Sequence, residues 1–157
     1  MKKIYLIMLV FIPALLAAQQ NVQLQDGYQQ FRYPNGNISS EGYIRNGKPD
    51  GYWKSYYVTG VLKSEGRRTS FLLDSLWVFY DQAGDTIEKI SYLLGKRNGY
   101  SLKYKKDPVY GNYLFSSELY AGDRKEGLAK IYFPDGKIKQ TIPYSDSKKD
   151  GLSREYN

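Results

Sequence analysis

Gly51-Tyr52-Trp53-Lys54-Ser55-Tyr56-Tyr57-Val58-Thr59-Gly60-Val61-Leu62-Lys63-Ser64-Glu65-Gly66 is the stretch that decides the fold. Two runs of strand length, Tyr52–Val58 and Val61–Glu65, carry aromatic and β-branched side chains and flank a glycine where the chain can reverse. The same punctuation returns along the chain. Gly27, Gly51, Gly99, Gly127 and Gly151 head similar segments at separations of 24, 48, 28 and 24 residues. The 48 is two periods with its midpoint at Ser75, and the 28 is one period plus four inserted residues. Units therefore start at 27, 51, 75, 99, 127 and 151, the last cut short at Asn157.

Phases inside the unit agree with these starts. Five positions on from each start stand Tyr56, Tyr80, Tyr104, Tyr132 and Tyr156, with Arg32 the exception. Nine positions on stand Gly36, Gly60, Gly84 and Gly136, while the fourth unit, displaced by its insertion, has Gly111. Asp50-Gly51, Asp135-Gly136, Asp150-Gly151, Asn35-Gly36 and Asn46-Gly47 supply the positive φ angles of tight hairpin turns. Each unit then reads as strand, turn, strand, turn. The expectation is an all-β fold: an antiparallel meander of about eleven strands forming an elongated, twisted open sheet over residues 27–157.

Residues two apart on a strand share a face. Positions one and five of each unit fall together: Tyr28, Tyr52, Leu76, Tyr100, Leu128 and Leu152 with the recurring tyrosines. That regular side is expected to be packed and structural. The other side varies, with Gln29, Trp53, Trp77, Ser101, Ala129 and Ser153 at position two and Phe31, Phe79 and Ile131 among those at position four. Trp53 and Trp77 should lie roughly 10 Å apart on that side, with Phe79 and Tyr57 beside them. They form either a binding hot spot or a second apolar layer. The insertion around Lys105–Asn112 lengthens one hairpin and offers Tyr110 as a further binding candidate.

The 157 residues include no Cys and no His, which excludes imidazole bases, thiol nucleophiles and Cys/His zinc sites. The carboxylates gather at turn positions such as Asp26, Asp50, Asp135 and Asp150, so no catalytic pair, metal site or cofactor is expected. Met1-Lys2-Lys3, the apolar stretch Ile4–Leu16 and Ala17-Ala18 read as a signal peptide over residues 1–18, followed by a short lead-in over 19–26. Without a Cys at the cleavage site it is not a lipoprotein signal. Cleavage would carry off Lys2 and Lys3 and lower the net charge from +7 to +5. An exported, periplasmic, envelope-associated or secreted protein with interleaved charges is expected to bind no nucleic acid.

Tyr33-Pro34-Asn35-Gly36-Asn37-Ile38-Ser39-Ser40-Glu41-Gly42, running on through Asn46-Gly47-Lys48 to Gly51-Tyr52-Trp53, resembles the bacterial variant of the MORN repeat. Val58 to Tyr80 matches again through Gly60, Leu62, Glu65, Gly66, Trp77 and Tyr80. The third unit has Lys89-Ile90 in place of the Glu-Gly pair, and the fifth has Thr141-Ile142. The resemblance implies a non-catalytic β-hairpin array acting in protein or lipid contact. Bacterial members similar to YwqK-like antitoxins further imply another protein as partner, with a glycan or lipid headgroup as the alternative.

Overall fold

The computed structural model describes residues 24–157; the expected signal peptide and most of the lead-in lie outside the described residues. Twelve strands follow one another: β1 (Gly27–Arg32), β2 (Ile38–Arg45), β3 (Lys48–Tyr56), β4 (Leu62–Thr69), β5 (Leu72–Tyr80), β6 (Thr86–Leu93), β7 (Lys96–Asp107), β8 (Gly111–Ala121), β9 (Arg124–Tyr132), β10 (Ile138–Ser145), β11 (Lys148–Lys149) and β12 (Arg154–Glu155). They form one antiparallel sheet in chain order, with β12 pairing β10 beside β11. The meander is as the repeat predicted.

Two turn types alternate between the rims of the sheet. On one rim, Gly36 N–H donates to Tyr33 O at 2.9 Å and Tyr33 N–H to Asn37 O at 2.8 Å, closing a three-residue loop. Tyr57–Val61, Asp81–Asp85 and Phe133–Lys137 repeat it. On the other rim the turns have two central residues, both at positive φ, as in Asn46 (51°) and Gly47 (67°). Ser70-Phe71, Leu94-Gly95, Gly122-Asp123 and Asp146-Ser147 occupy the equivalent places. This is the type I′ geometry, whose twist matches that of the flanking strands.

One turn assignment changes. Asp50-Gly51 lies inside β3 and forms a bulge: Gly42 pairs Trp53 while Tyr43 pairs Asp50, leaving Gly51 and Tyr52 as extra residues. The bulge requires a left-handed residue, and Gly51 supplies it at φ 84°. Gly99, Gly127 and Gly151 do the same, and Ser75 adopts φ 60° where its unit lacks the glycine; Gly27 also has positive φ but heads β1 in unbroken register with Ile44.

The two-residue turns are laced to one another. Phe71 N–H donates to Pro49 O, Gly95 N–H to Leu73 O, Asp123 N–H to Arg97 O and Ser147 N–H to Lys125 O, all at 2.7–2.9 Å. Side chains just ahead of four of the unit starts reach the next turn, whereas Asp50 accepts from Gly51 N–H instead. Asp26 accepts from Asn46 N–H and Gly47 N–H at 2.9 and 3.0 Å, and Glu126 accepts from Asp146 N–H at 3.0 Å. The amides of Gly47 and Asn46 hold the Asp26 carboxyl below its ordinary range.

A single layer must bury its apolar surface along itself. Ile44, Trp53 and Trp77 form the core cluster, with Leu24, Phe31, Leu73, Phe79 and Tyr92 against it. Across β2 to β7 one face carries Gly42, Trp53, Gly66, Trp77, Ile90 and Ser101 in register, and all six are buried. Each indole lies flat over the glycine of the preceding strand, where any Cβ would overlap it. Trp53 and Trp77 are only 7% and 3% exposed. Of the two sequence readings of these tryptophans, the apolar layer is the one realised; they are not an open platform, because Gly42 and Gly66 let the sheet close on them.

Candidate binding face

The bulge at each unit start after the first decides what faces outward. By inserting two residues ahead of Trp53, Gly51 sends Tyr52 to the side opposite the indole. Equivalent bulges do the same for Leu76, Tyr100 and Leu128, and plain alternation puts Tyr28 on that side in β1. These five side chains stand in a row across the sheet and are between 47% and 57% exposed. Tyr43, on the same side, meets Tyr28 edge to face with ring centroids 5.3 Å apart. The regular side, expected to be packed, is therefore the open one, since among the described residues no second layer covers it.

Behind this row the position-five tyrosines are half-buried and tied down, apart from Tyr156 at the truncated end, which is exposed. Tyr56 OH donates to Glu41 Oε1 at 2.5 Å and Tyr80 OH to Glu65 Oε1 at 2.7 Å. Burial, and then the Glu65 carboxylate, push the Tyr80 hydroxyl up to about 12, and Tyr56 is raised for the same two reasons by burial and Glu41. Glu41, taking bonds from Tyr56 and then Tyr28, sits below its ordinary value. In the third unit Lys89 Nζ lies 5.6 Å from the Tyr104 ring centroid instead. In the fourth, Ser117 Oγ meets Tyr132 OH at 3.1 Å.

The Glu-Gly pair thus has two separate tasks: the carboxylate holds the tyrosine fifteen residues on, and the glycine seats the tryptophan. Where the pair becomes Lys89-Ile90, the tryptophan is also gone and Ser101 pairs Ile90. Sequence reading missed this coupling, although the joint loss of Gly and Trp in one unit was its signal. The short Ser117 also leaves a groove of about 280 Å³ lined by Tyr100, Leu102, Leu114, Ser117, Leu128, Lys130 and Tyr132. It opens on the same face as the exposed row.

Of the five sequence-proposed binding residues, Trp53, Trp77 and Phe79 share the buried cluster, while Tyr57 and Tyr110 stand apart from it. Trp77 and Phe79 are together, ring centroids 6.2 Å apart, with Trp77 Nε1–H donating to Arg67 O at 2.8 Å. Trp53 contacts Phe31 rather than Trp77's partner. Tyr57 is half-buried and ties its turn to the next by donating to Tyr80 O at 2.8 Å. Tyr110 alone is exposed, at the tip of the lengthened β7–β8 hairpin, where Asp107 Oδ1 accepts from Val109 and Tyr110 N–H at 2.8 and 3.0 Å. That hairpin leans on its neighbour through Asn112 Nδ2 to Thr86 O at 2.9 Å and an ion pair between Lys106 and Asp85.

The family described as MORN repeat variant matches residues 25–47, 49–67 and 125–146. Those segments are MORN-type repeats. MORN repeats are generally protein or membrane-lipid interaction modules and are typically non-catalytic. The matched segments include the Glu-Gly pairs at Glu41-Gly42 and Glu65-Gly66. Between them and the third segment the backbone repeats the plan of the matched segments, with the same bulge at Ser75 and Gly99 and the same rim turns. No curated protein matches the chain.

Proposed function

We propose that this chain is an exported, non-catalytic scaffold that binds another protein through the exposed row Tyr28, Tyr52, Leu76, Tyr100 and Leu128. The observation that carries the reading is that row itself: five large side chains on alternate strands from β1 to β9, half-exposed on one face. Large exposed aromatic and aliphatic side chains repeated along one face mark interaction sites, and tyrosine is a favoured hot-spot residue. A toxin-neutralising role of the YwqK-like kind is a narrower case in which the partner is the toxin. Export rests on the N-terminal sequence, and immunodetection of a shortened chain in the periplasm or medium would test it.

Affinity capture with the native chain and with a Tyr28→Ser/Tyr52→Ser/Leu76→Ser variant tests the face. The expected result is a partner retained by the native chain and lost by a variant that keeps the native far-ultraviolet spectrum. Equal recovery by both would refute it. Lys54, Arg67, Lys89 and Lys130 share this face, which supports a lipid-headgroup reading as the alternative. Co-sedimentation with anionic but not neutral vesicles, abolished by the same variant, would select that alternative.

A further inference from the structure

The repeat contains its own control for what the 280 Å³ groove can hold. In the first unit Glu41 stands opposite Lys54, accepts from Tyr56, and lies near Tyr28. Shifted by the insertion, the fourth unit has the same surroundings: Lys130 opposite, Tyr132 for Tyr56, and Tyr100 for Tyr28. Two positions differ: Ser117 stands in place of the carboxylate, and Leu102 stands where Gln30 donates to Glu41 at 2.8 Å. Its hydroxyl reaches Tyr132, and none of the ion pairs among the described residues uses Lys130. The walls are Leu102, Leu114 and Leu128. A groove lined by a lysine, two tyrosines and three leucines complements an anion carried on an apolar stem.

We propose that this groove binds a carboxylate side chain, a glutamate flanked by apolar residues, presented by an extended segment of the partner protein. The proposal deepens the reading of the face given above and rests on it. In two sister units the chain fills the equivalent place with its own glutamate; here the partner supplies it. Lys130 neutralises the incoming charge, Tyr132 donates to it, and the leucines cover its methylenes.

The test uses the full chain labelled with ¹⁵N and the probe acetyl-Leu-Glu-Leu-amide, with acetyl-Leu-Gln-Leu-amide and hexanoate as comparisons. The expected result is shifts at the amides of Leu102, Ser117 and Lys130 with the glutamate probe and about tenfold weaker binding of the glutamine probe, the loss of one charge-assisted pair. Ser117→Glu should abolish the response while the protein stays folded, since two sister units already carry glutamate there. Lys130→Gln should remove the preference for glutamate over glutamine. Equal binding of the two peptides, an unchanged response in Ser117→Glu, or no shifts at all would overturn the proposal. Hexanoate binding as tightly as the peptide would assign the groove to a small organic acid and overturn the peptide form. None of the Tyr28, Tyr52 and Leu76 side chains lines the groove, so partner loss in that triple variant without a peptide response would sink the groove and leave the face standing.

Discussion

Exchanging the Gly66–Trp77 pair for the pair found in the next unit gives a sharp test of how the sheet is held together. Trp77 is 3% exposed and lies over Gly66, where an added Cβ would overlap the indole. Trp77→Ser alone removes a buried aromatic of about 240 Å², an area term near 6 kcal/mol as an upper bound. Measured truncations of buried aromatics run lower, so a loss of about 4 kcal/mol is expected. Gly66→Ile alone drives a branched side chain into the indole and should cost about 3 kcal/mol. Independent effects would sum to about 7 kcal/mol, a large share of a total of order 10 kcal/mol for a domain this size. The double variant instead recreates the Ile90–Ser101 pairing, in which the isoleucine occupies the room the indole has left. Burial of the new isoleucine returns about 2 kcal/mol, and the clash is gone. The double variant should therefore be more stable than either single one. Urea unfolding followed by far-ultraviolet circular dichroism measures this without relying on the lost tryptophan. A double variant no more stable than the worse single variant would refute the size-matching argument.

Two further outcomes follow from the same structure. Ser75 holds a left-handed φ of 60° where the other units have glycine, so Ser75→Gly should raise stability by about 0.5–1 kcal/mol, measured as a higher urea midpoint at unchanged slope. The Tyr80 hydroxyl ionises at about 12 in the folded chain against 10 when unfolded, so its contribution is complete below pH 10 and fades as pH rises toward 12. Absorbance at 295 nm should show a late-titrating class of tyrosines, shrunken in Glu65→Gln, and thermal stability should fall across that window; a single titration centred on pH 10 would contradict the assignment.

The repeat was legible because glycine has a backbone reason to recur. Every unit has one left-handed residue at its start and, in four of them, one in the three-residue loop, so both phases survive where the side chains drift. Asp50-Gly51 misled because the dipeptide suits a two-residue turn and a bulge equally well. Only the pairing of Gly42 with Trp53 and Tyr43 with Asp50 separates them. The faces were sorted correctly into sets, since alternation tells which residues share a side. Alternation does not tell which side is covered, and in a one-layer sheet the answer hangs on two glycines. Gly42 and Gly66 make Trp53 and Trp77 core and leave Tyr52 and Leu76 in the open. The groove was equally out of reach, because it comes from what Ser117 lacks relative to Glu41 and Glu65, and no single residue type announces it.

The links between units all span a similar length of chain. Tyrosine to carboxylate crosses 15 residues, and the bonds that lace the rims cross between 20 and 26. No tie of this kind joins the first unit to the fifth. Excising one whole 24-residue module would therefore bring together ends that already know how to meet: the severed tyrosine finds another Glu-Gly strand behind it, and the severed turn finds another acidic cap. A cut of another length inside the paired strands would misplace the ties that span it. The chain can thus lengthen or shorten by complete modules while its architecture stays the same, and the distance from Tyr28, at the start of the exposed row, to the serine groove is a quantity that gene duplication alone can set.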